Sequence, residues 1–312
     1  MGLRVRYSGA MLGVIVLAAL SALAAPALAA DFVGNDVCKE CHADIWSAFY
    51  KNPHYKSIAS GKVAPENTGC EGCHGPAKDH VEAGGGSDTI PNAFSLMPPA
   101  RVLDTCLRCH AETISRSNIR RSTHTQEDVV CTNCHSIHKP QTPKFLLAKK
   151  KQSELCYSCH ANVRAQFSMP FKHRVNEGFI QCTDCHNPHG ASAPSWRMSA
   201  RPAMTDQAQA NEEPCLKCHI DKRGPFVWEH PAVRFDGCES CHNPHGSVNA
   251  KMLKRPVIFT MCLECHKGPG FGPTGGIPKP DSTHNLADPR FQNCTTCHVR
   301  IHGSNSDPYF FR

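Results

Sequence analysis

Apolar residues are spread unevenly along the 312-residue chain, and only one run of them is long. It extends from about Met11 to Ala25, after Arg4 and Arg6 and before Ala27-Leu28-Ala29. A basic start, a short apolar stretch and small residues at its end have the layout of a secretory signal. The stretch falls short of the ~20 residues that span a bilayer as a helix. Residues 1–30 are therefore expected to be cleaved after Ala29 or Ala30, leaving residues 31–312. Elsewhere apolar and polar positions mix in short helical runs such as CHADIWSAFYK and CHANVRAQF, with Asn35 or Asp36, Asp104 and Ser153 as expected N-caps. Between them stand breakers: Pro188, Gly190, Pro244, Gly246 and Gly303. Connectors 84–100, 190–214 and 267–281 are rich in Pro and Gly. The expectation is short α-helices, irregular loops and little or no β-structure.

The cysteines change the picture. All 20 fall into C-x-x-C pairs, and each pair is followed at once by histidine. The pairs are Cys38 and Cys41, Cys70 and Cys73, Cys106 and Cys109, Cys131 and Cys134, Cys156 and Cys159, Cys182 and Cys185, Cys215 and Cys218, Cys238 and Cys241, Cys262 and Cys265, Cys294 and Cys297. The adjoining histidines are His42, His74, His110, His135, His160, His186, His219, His242, His266 and His298. Exported cysteines are ordinarily disulfide-bonded, and paired C-x-x-C units also build zinc sites. Neither reading supplies a reason for a histidine after every pair. C-x-x-C-H is the attachment signature of c-type haem: two thiols clamp neighbouring edges of the porphyrin, and the histidine turns under the ring to ligate iron. The expectation is ten covalently attached haem c groups.

About 283 residues then serve ten haems, or roughly one haem per 28 residues, far below the ~100 residues of an independent domain. With aromatics at 7%, the haems must form the core and lie close together. The formal charge of +7 loses its usual meaning. Some twenty propionates against ten ferric irons bring the loaded protein to about −5 once the leader is gone. Nucleic acid is not an expected partner, and the run Lys149-Lys150-Lys151 reads as a solvated face.

The motifs form five di-haem units within 31–312, beginning near Cys38, Cys106, Cys156, Cys215 and Cys262, with a candidate division near 190–214. Each unit carries two further histidines: His54 and His80, His124 and His138, His173 and His189, His230 and His245, His284 and His302. Ten spare histidines for ten irons argue for distal ligation and six-coordinate bis-His haem. Histidine Cα atoms on opposite faces of one haem lie roughly 12–13 Å apart at metal–nitrogen bonds near 2 Å. Three residues span at most about 10 Å. So His138, His189 and His245 cannot cap the haems of His135, His186 and His242, and must reach neighbours. His54, His124, His173, His230 and His284 have the reach to cap the first haem of their own unit.

Bis-His iron has no open position, and no triad or carboxylate pair offers catalysis. Electron transfer is the expected role, with a multihaem oxidoreductase as the weaker alternative. The ten C-x-x-C-H sites, with C-x-x-C-H-N-P-H-G at 182–190 and 238–246, resemble the MtrA/MtoA/DmsE-type periplasmic decahaem cytochromes over essentially the whole mature chain. That resemblance implies an extended haem wire, often seated in an outer-membrane β-barrel porin. It would pass electrons between a periplasmic or inner-membrane cytochrome and extracellular iron, other metals, an extracellular cytochrome or a terminal reductase. A soluble periplasmic shuttle is the alternative.

Overall fold

The computed structural model describes residues 31–112, 118–190, 214–266 and 284–311. The expected signal at 1–30, and nearly all of connectors 190–214 and 267–281, lie outside the described residues. The chain forms two compact units that divide between Met97 and Pro98.

The first unit is a set of short helices: Asn35–Cys41, Ala43–Phe49, Tyr55–Ser60, Gly69–His74 and Lys78–Glu82. The first two are separated at His42, whose backbone (φ −112°, ψ 44°) leaves helical geometry where the motif ends. Tyr55 gathers Trp46, Phe49 and Tyr50 around it, with ring centroids 4.7–6.5 Å away. Glu71, inside the second motif, is 4% exposed. Its carboxylate accepts the backbone N–H groups of Val33 (2.9 Å), Gly34 (2.8 Å) and Ala77 (3.0 Å). The Asn35 side chain adds a bond from the Cys70 N–H at 2.8 Å. It lies where a Cβ on Gly69 would stand, and Gly69 has φ of +60°, so glycine is required there.

In the second unit the longest helix among the described residues, Pro99–His110, ends in the third motif. Val102, Leu103 and Leu107 are its buried face. Leu103 and Leu107 pack with Ile119, Val130 and Cys131 in a small apolar cluster. Further motifs sit on single turns or short helices: Cys131–Cys134, Gln152–Tyr157, Cys182–Cys185, Pro214–Lys217, Cys238–Ser240, Ile258–His266 and Cys294–Thr296. The only strands among the described residues, β1 (Phe171–Lys172) and β2 (Gly246–Ser247), pair antiparallel with Lys172 opposite Gly246. Helix with almost no sheet is what the breaker pattern predicts.

The N-cap expectations need correction. Asn35 is the first helical residue, after Gly34, and directs its side chain to Cys70. Asp104 lies inside its helix and pairs with Arg120 at 2.7 Å. Ser153 is the second residue of a helix capped by Lys151. The Pro98-Pro99 start explains Asp104: a proline at the first helical position pre-sets φ, so the helix begins a turn earlier than polarity alone suggests. The capping carboxamide and carboxylate appear instead inside the motifs. Asn133 and Asp184, each third in C-x-x-C, accept the N–H groups of Val130 (2.8 Å) and Gln181 (2.7 Å).

Candidate haem-binding sites

None of the 20 cysteines expected to form thioethers is joined in a disulfide. The two positions of the motif differ in exposure. The first cysteine is half-buried in every motif. The second is exposed at Cys41, Cys73, Cys109, Cys159, Cys185, Cys218, Cys265 and Cys297, and half-buried only at Cys134 and Cys241. In eight of the ten pairs one thiol thus lies against the chain and the other is exposed, which suits two sulfurs reaching two separate vinyl groups of one porphyrin. In motif after motif the histidine N–H donates to the carbonyl of the first cysteine. The distances are 2.8–3.0 Å for His42, His135, His160, His186, His219, His242 and His298. One i to i+4 bond winds both thiols and the imidazole onto a single turn, the geometry that two thioethers and a proximal ligand need.

Within a di-haem unit the half-buried first cysteines of the two motifs act on one another: Cys38 on Cys70, and Cys182 on Cys156. In each pair the neighbouring thiol pushes one cysteine up, Cys70 and Cys156, and holds the other down, Cys38 and Cys182, the latter to about 7. Burial and the neighbouring Cys294 thiol push Cys262 up to about 12. These contacts place two attachment points side by side in three of the five units.

The histidines pair as well. Eight ring pairs have centroids 6.0–6.4 Å apart: His42–His80, His135–His189, His160–His124, His186–His245, His219–His173, His242–His302, His266–His230 and His298–His284. Each joins one motif histidine to one spare histidine. Two imidazole nitrogens on opposite sides of one iron lie about 4 Å apart at bonds near 2 Å. Each ring centre sits about 1 Å further out, so roughly 6 Å is the separation an iron between them requires. Direct stacking would bring the rings much closer.

Ring orientation fits the same purpose. Carbonyls accept the Nδ1–H of His74 (Asn92, 3.0 Å), His80 (Gly86, 3.0 Å), His124 (Pro188, 3.0 Å), His135 (Phe145, 2.7 Å), His173 (Pro244, 2.6 Å), His242 (Lys251, 2.9 Å) and His298 (Tyr309). Side-chain oxygens serve His54 (Asn52, 3.0 Å) and His245 (Gln166, 2.9 Å). A carbonyl acceptor fixes the tautomer with the proton on Nδ1, which frees the Nε2 lone pair for metal. Burial holds His186, His230 and His245 below the usual imidazole range, and His302 down to about 4, so these rings stay neutral.

The pairing register differs from the expected one. His124, His173 and His230 face not the first motif of their own units but that of the next: His160, His219 and His266. His189, His245 and His302 face the second motif of the preceding unit: His135, His186 and His242. Of the eight pairs, His80 with His42 and His284 with His298 close within a unit. His54 is thus not the ring facing His42, and His284 faces His298 rather than His266. His110 and His138 lie in the second unit and His74 in the first.

Sequence reasoning also missed the groups that orient the rings. Phe145, Lys251 and Tyr309 are each followed by a residue in left-handed backbone: Leu146 (φ 53°), Met252 (φ 56°) and Phe310 (φ 62°). The carbonyls of Leu146 and Met252 then accept the N–H of Ser136 (2.7 Å) and Asn243 (2.8 Å), the residues after the motif histidines. A non-glycine residue there costs about 1 kcal/mol or more. The cost recurs where the chain doubles back to hold a motif histidine. Nothing in a leucine, methionine or phenylalanine announces that role.

Repeated C-x-x-C-H turns with imidazoles at iron-spanning separation define a multihaem c-type cytochrome. The chain is 32% identical over 280 residues to "Multiheme cytochrome MtrA" of Shewanella baltica (strain OS185), covering 87% of this chain and 79% of the relative. It belongs to the MtrA family of multihaem cytochromes. The "Doubled CXXCH motif" family matches residues 124–165, 173–224 and 230–270, and "Cytochrome c554 and c-prime" matches 88–136. A more distant relative is "Cytochrome c-554" of Nitrosomonas europaea, 25% identical over 154 residues, 41% of this chain and 59% of that protein. The protein is an electron-transfer cytochrome with covalently bound haem c.

Proposed function

We propose that the chain binds ten haems, each held by one C-x-x-C-H motif and capped by a spare histidine, and conducts electrons along them as a wire. The observation that carries this reading is the set of eight histidine pairs at one common separation. Haem iron supplies one-electron chemistry. The chain supplies two imidazoles per iron, a fixed tautomer and a closed coordination shell, which leaves no position for a substrate. That arrangement favours a carrier over a catalyst. His54 and His138 complete the set of distal ligands, and His74 and His110 that of proximal ones.

The pairs fall into two classes. Rings are nearly parallel, within 9–16°, at His42–His80, His135–His189, His266–His230 and His242–His302. They cross at 45–63° at His160–His124, His219–His173, His186–His245 and His298–His284. Parallel ligand planes split the iron π orbitals, and crossing the planes narrows that splitting. Low-temperature EPR of the oxidised protein is expected to show two low-spin families, one rhombic and one more axial, and no high-spin haem. A prominent high-spin signal in the resting protein would favour an enzyme instead.

The setting we propose is the periplasm, with the protein seated in an outer-membrane β-barrel porin. It would take electrons from, or give them to, a periplasmic or inner-membrane cytochrome on one side and an extracellular cytochrome, terminal reductase or metal on the other. No helix among the described residues is long and apolar enough to cross a membrane. Irregular polar backbone cannot face lipid, so a transmembrane route requires a surrounding barrel. Affinity isolation from detergent-solubilised outer membranes is expected to recover a barrel protein in stoichiometric amount. Recovery of the cytochrome alone, from the periplasmic fraction, would replace the conduit with a soluble shuttle.

A further inference from the structure

The sequence CTDCHNPHG at 182–190, repeated as CESCHNPHG at 238–246, does more than hold one haem and cap another. In both copies Asn-Pro-His-Gly closes a four-residue turn, the glycine N–H donating to the asparagine carbonyl (Gly190 to Asn187, 3.0 Å; Gly246 to Asn243, 3.1 Å). Proline at the second position pre-sets the turn. In the first copy the Asn187 side chain locks it, accepting the His189 N–H at 3.1 Å and donating to the Gly190 carbonyl at 2.9 Å.

The turn presents three groups in three directions. The third residue sends its ring to a distant motif: His189 to His135, His245 to His186. The second residue's carbonyl accepts the Nδ1–H of a histidine on a third segment, Pro188 from His124 at 3.0 Å and Pro244 from His173 at 2.6 Å. Those histidines face His160 and His219. The fourth residue is the docking surface for the same third segment. A Cβ on Gly190 would lie 2.8 Å from the Asn118 carbonyl and 3.1 Å from Ser122 Cβ, just ahead of His124. A Cβ on Gly246 would collide with the Gln166 carbonyl and lie 3.3 Å from Lys172 Cβ, next to His173.

We infer that each N-P-H-G turn is a junction that positions ligands of three haems, with Pro188 and Pro244 acting as positioning residues through His124 and His173. The inference rests on the bis-histidine reading above. Residues 182–190 thus bind the haem of His186, cap that of His135 and orient the cap of His160. Residues 238–246 do the same for the haems of His242, His186 and His219. The haem of His186 is shared by both junctions: the first holds it and the second caps it. A carbonyl on the far nitrogen of a metal-bound imidazole fixes its plane and raises its donor strength, so the turn sets the ligand field of a haem it neither holds nor caps.

The test uses full-length oxidised holoprotein and EPR. His189→Ala and His124→Ala each identify one low-spin component, by removing it. Pro188→Gly keeps every ligand but frees the turn, and is expected to shift both of those components. In the His124→Ala/Pro188→Gly double variant the His189-dependent component is expected to shift as in Pro188→Gly alone, because that shift does not pass through the His124 ring. Pro188→Gly moving only the His189-dependent component would overturn the junction, reducing the turn to a local scaffold. If His124→Ala leaves every haem low-spin, the ligation reading itself fails. Pro244→Gly with His173→Ala poses the same question at the second copy. Asn187→Ala, which removes a side chain and leaves the backbone intact, carries the same expectation should Pro188→Gly not load its haems.

Discussion

His189→Ala is expected to convert one haem, about a tenth of the low-spin signal, to a five-coordinate high-spin form that binds carbon monoxide when reduced. The haem affected is the one held by Cys131, Cys134 and His135, some fifty residues earlier, and not the one held by the adjacent Cys182 and Cys185. The His135 and His189 rings lie 6.2 Å apart and within 13° of parallel, while three residues from His186 cannot round a porphyrin. Removing the haem of Cys131 and Cys134 by Cys→Ser replacement should abolish the carbon monoxide signal of His189→Ala, and removing that of Cys182 and Cys185 should leave it. The opposite pattern would show that the cap is local.

Glu71→Ala is expected to be the most destabilising single change in the first unit. It strands the N–H groups of Val33, Gly34 and Ala77 around a site that is 4% exposed. A buried donor left without a partner costs about 1–3 kcal/mol, so the loss should reach about 3 kcal/mol or more. For a chain of this size that corresponds to a fall in Tm on the order of ten degrees, read by calorimetry on the holoprotein. Glu71→Gln, which retains the oxygen shared by Val33 and Ala77 and loses the charge, should fall between. An unchanged Tm in Glu71→Ala would mean that the chain around residues 33–34 is held by other contacts. Glu71 stands between Cys70 and Cys73, so the same variant should also load haem poorly at that motif.

Much of the site is written locally and can be read. C-x-x-C-H is a single turn, and its thiols and imidazole converge through one backbone bond, whatever the rest of the chain does. The exclusion of His189 and His245 from their adjacent irons follows from chain length alone. The partner of His124 is a different matter. Fourteen residues separate it from His110, ample to reach that iron, and reach does not distinguish the iron of His110 from that of His160. The choice is made by Asn118–Ser122 docking on Gly190 and by the Pro188 carbonyl, contacts that exist only after folding. The orienting carbonyls are hidden for a related reason: every residue has one, and only the backbone path selects Phe145, Lys251 or Tyr309. Helix starts are misread where a proline pair or an interhelix bond claims the polar residue first, as at Asp104 and Asn35.

On the bis-histidine reading, the pairs His42–His80 and His284–His298, which close within their own units, limit how such a chain can change length. The third and fourth units each send one imidazole forward and one back, so duplicating either would leave every iron matched. A unit appended beyond the His284–His298 pair, or one trimmed from that end, breaks the reciprocity and leaves an iron with an empty face or an imidazole with nothing to hold. Cytochromes of this design should therefore grow by insertion in the middle, in steps of two haems, with both closing pairs preserved.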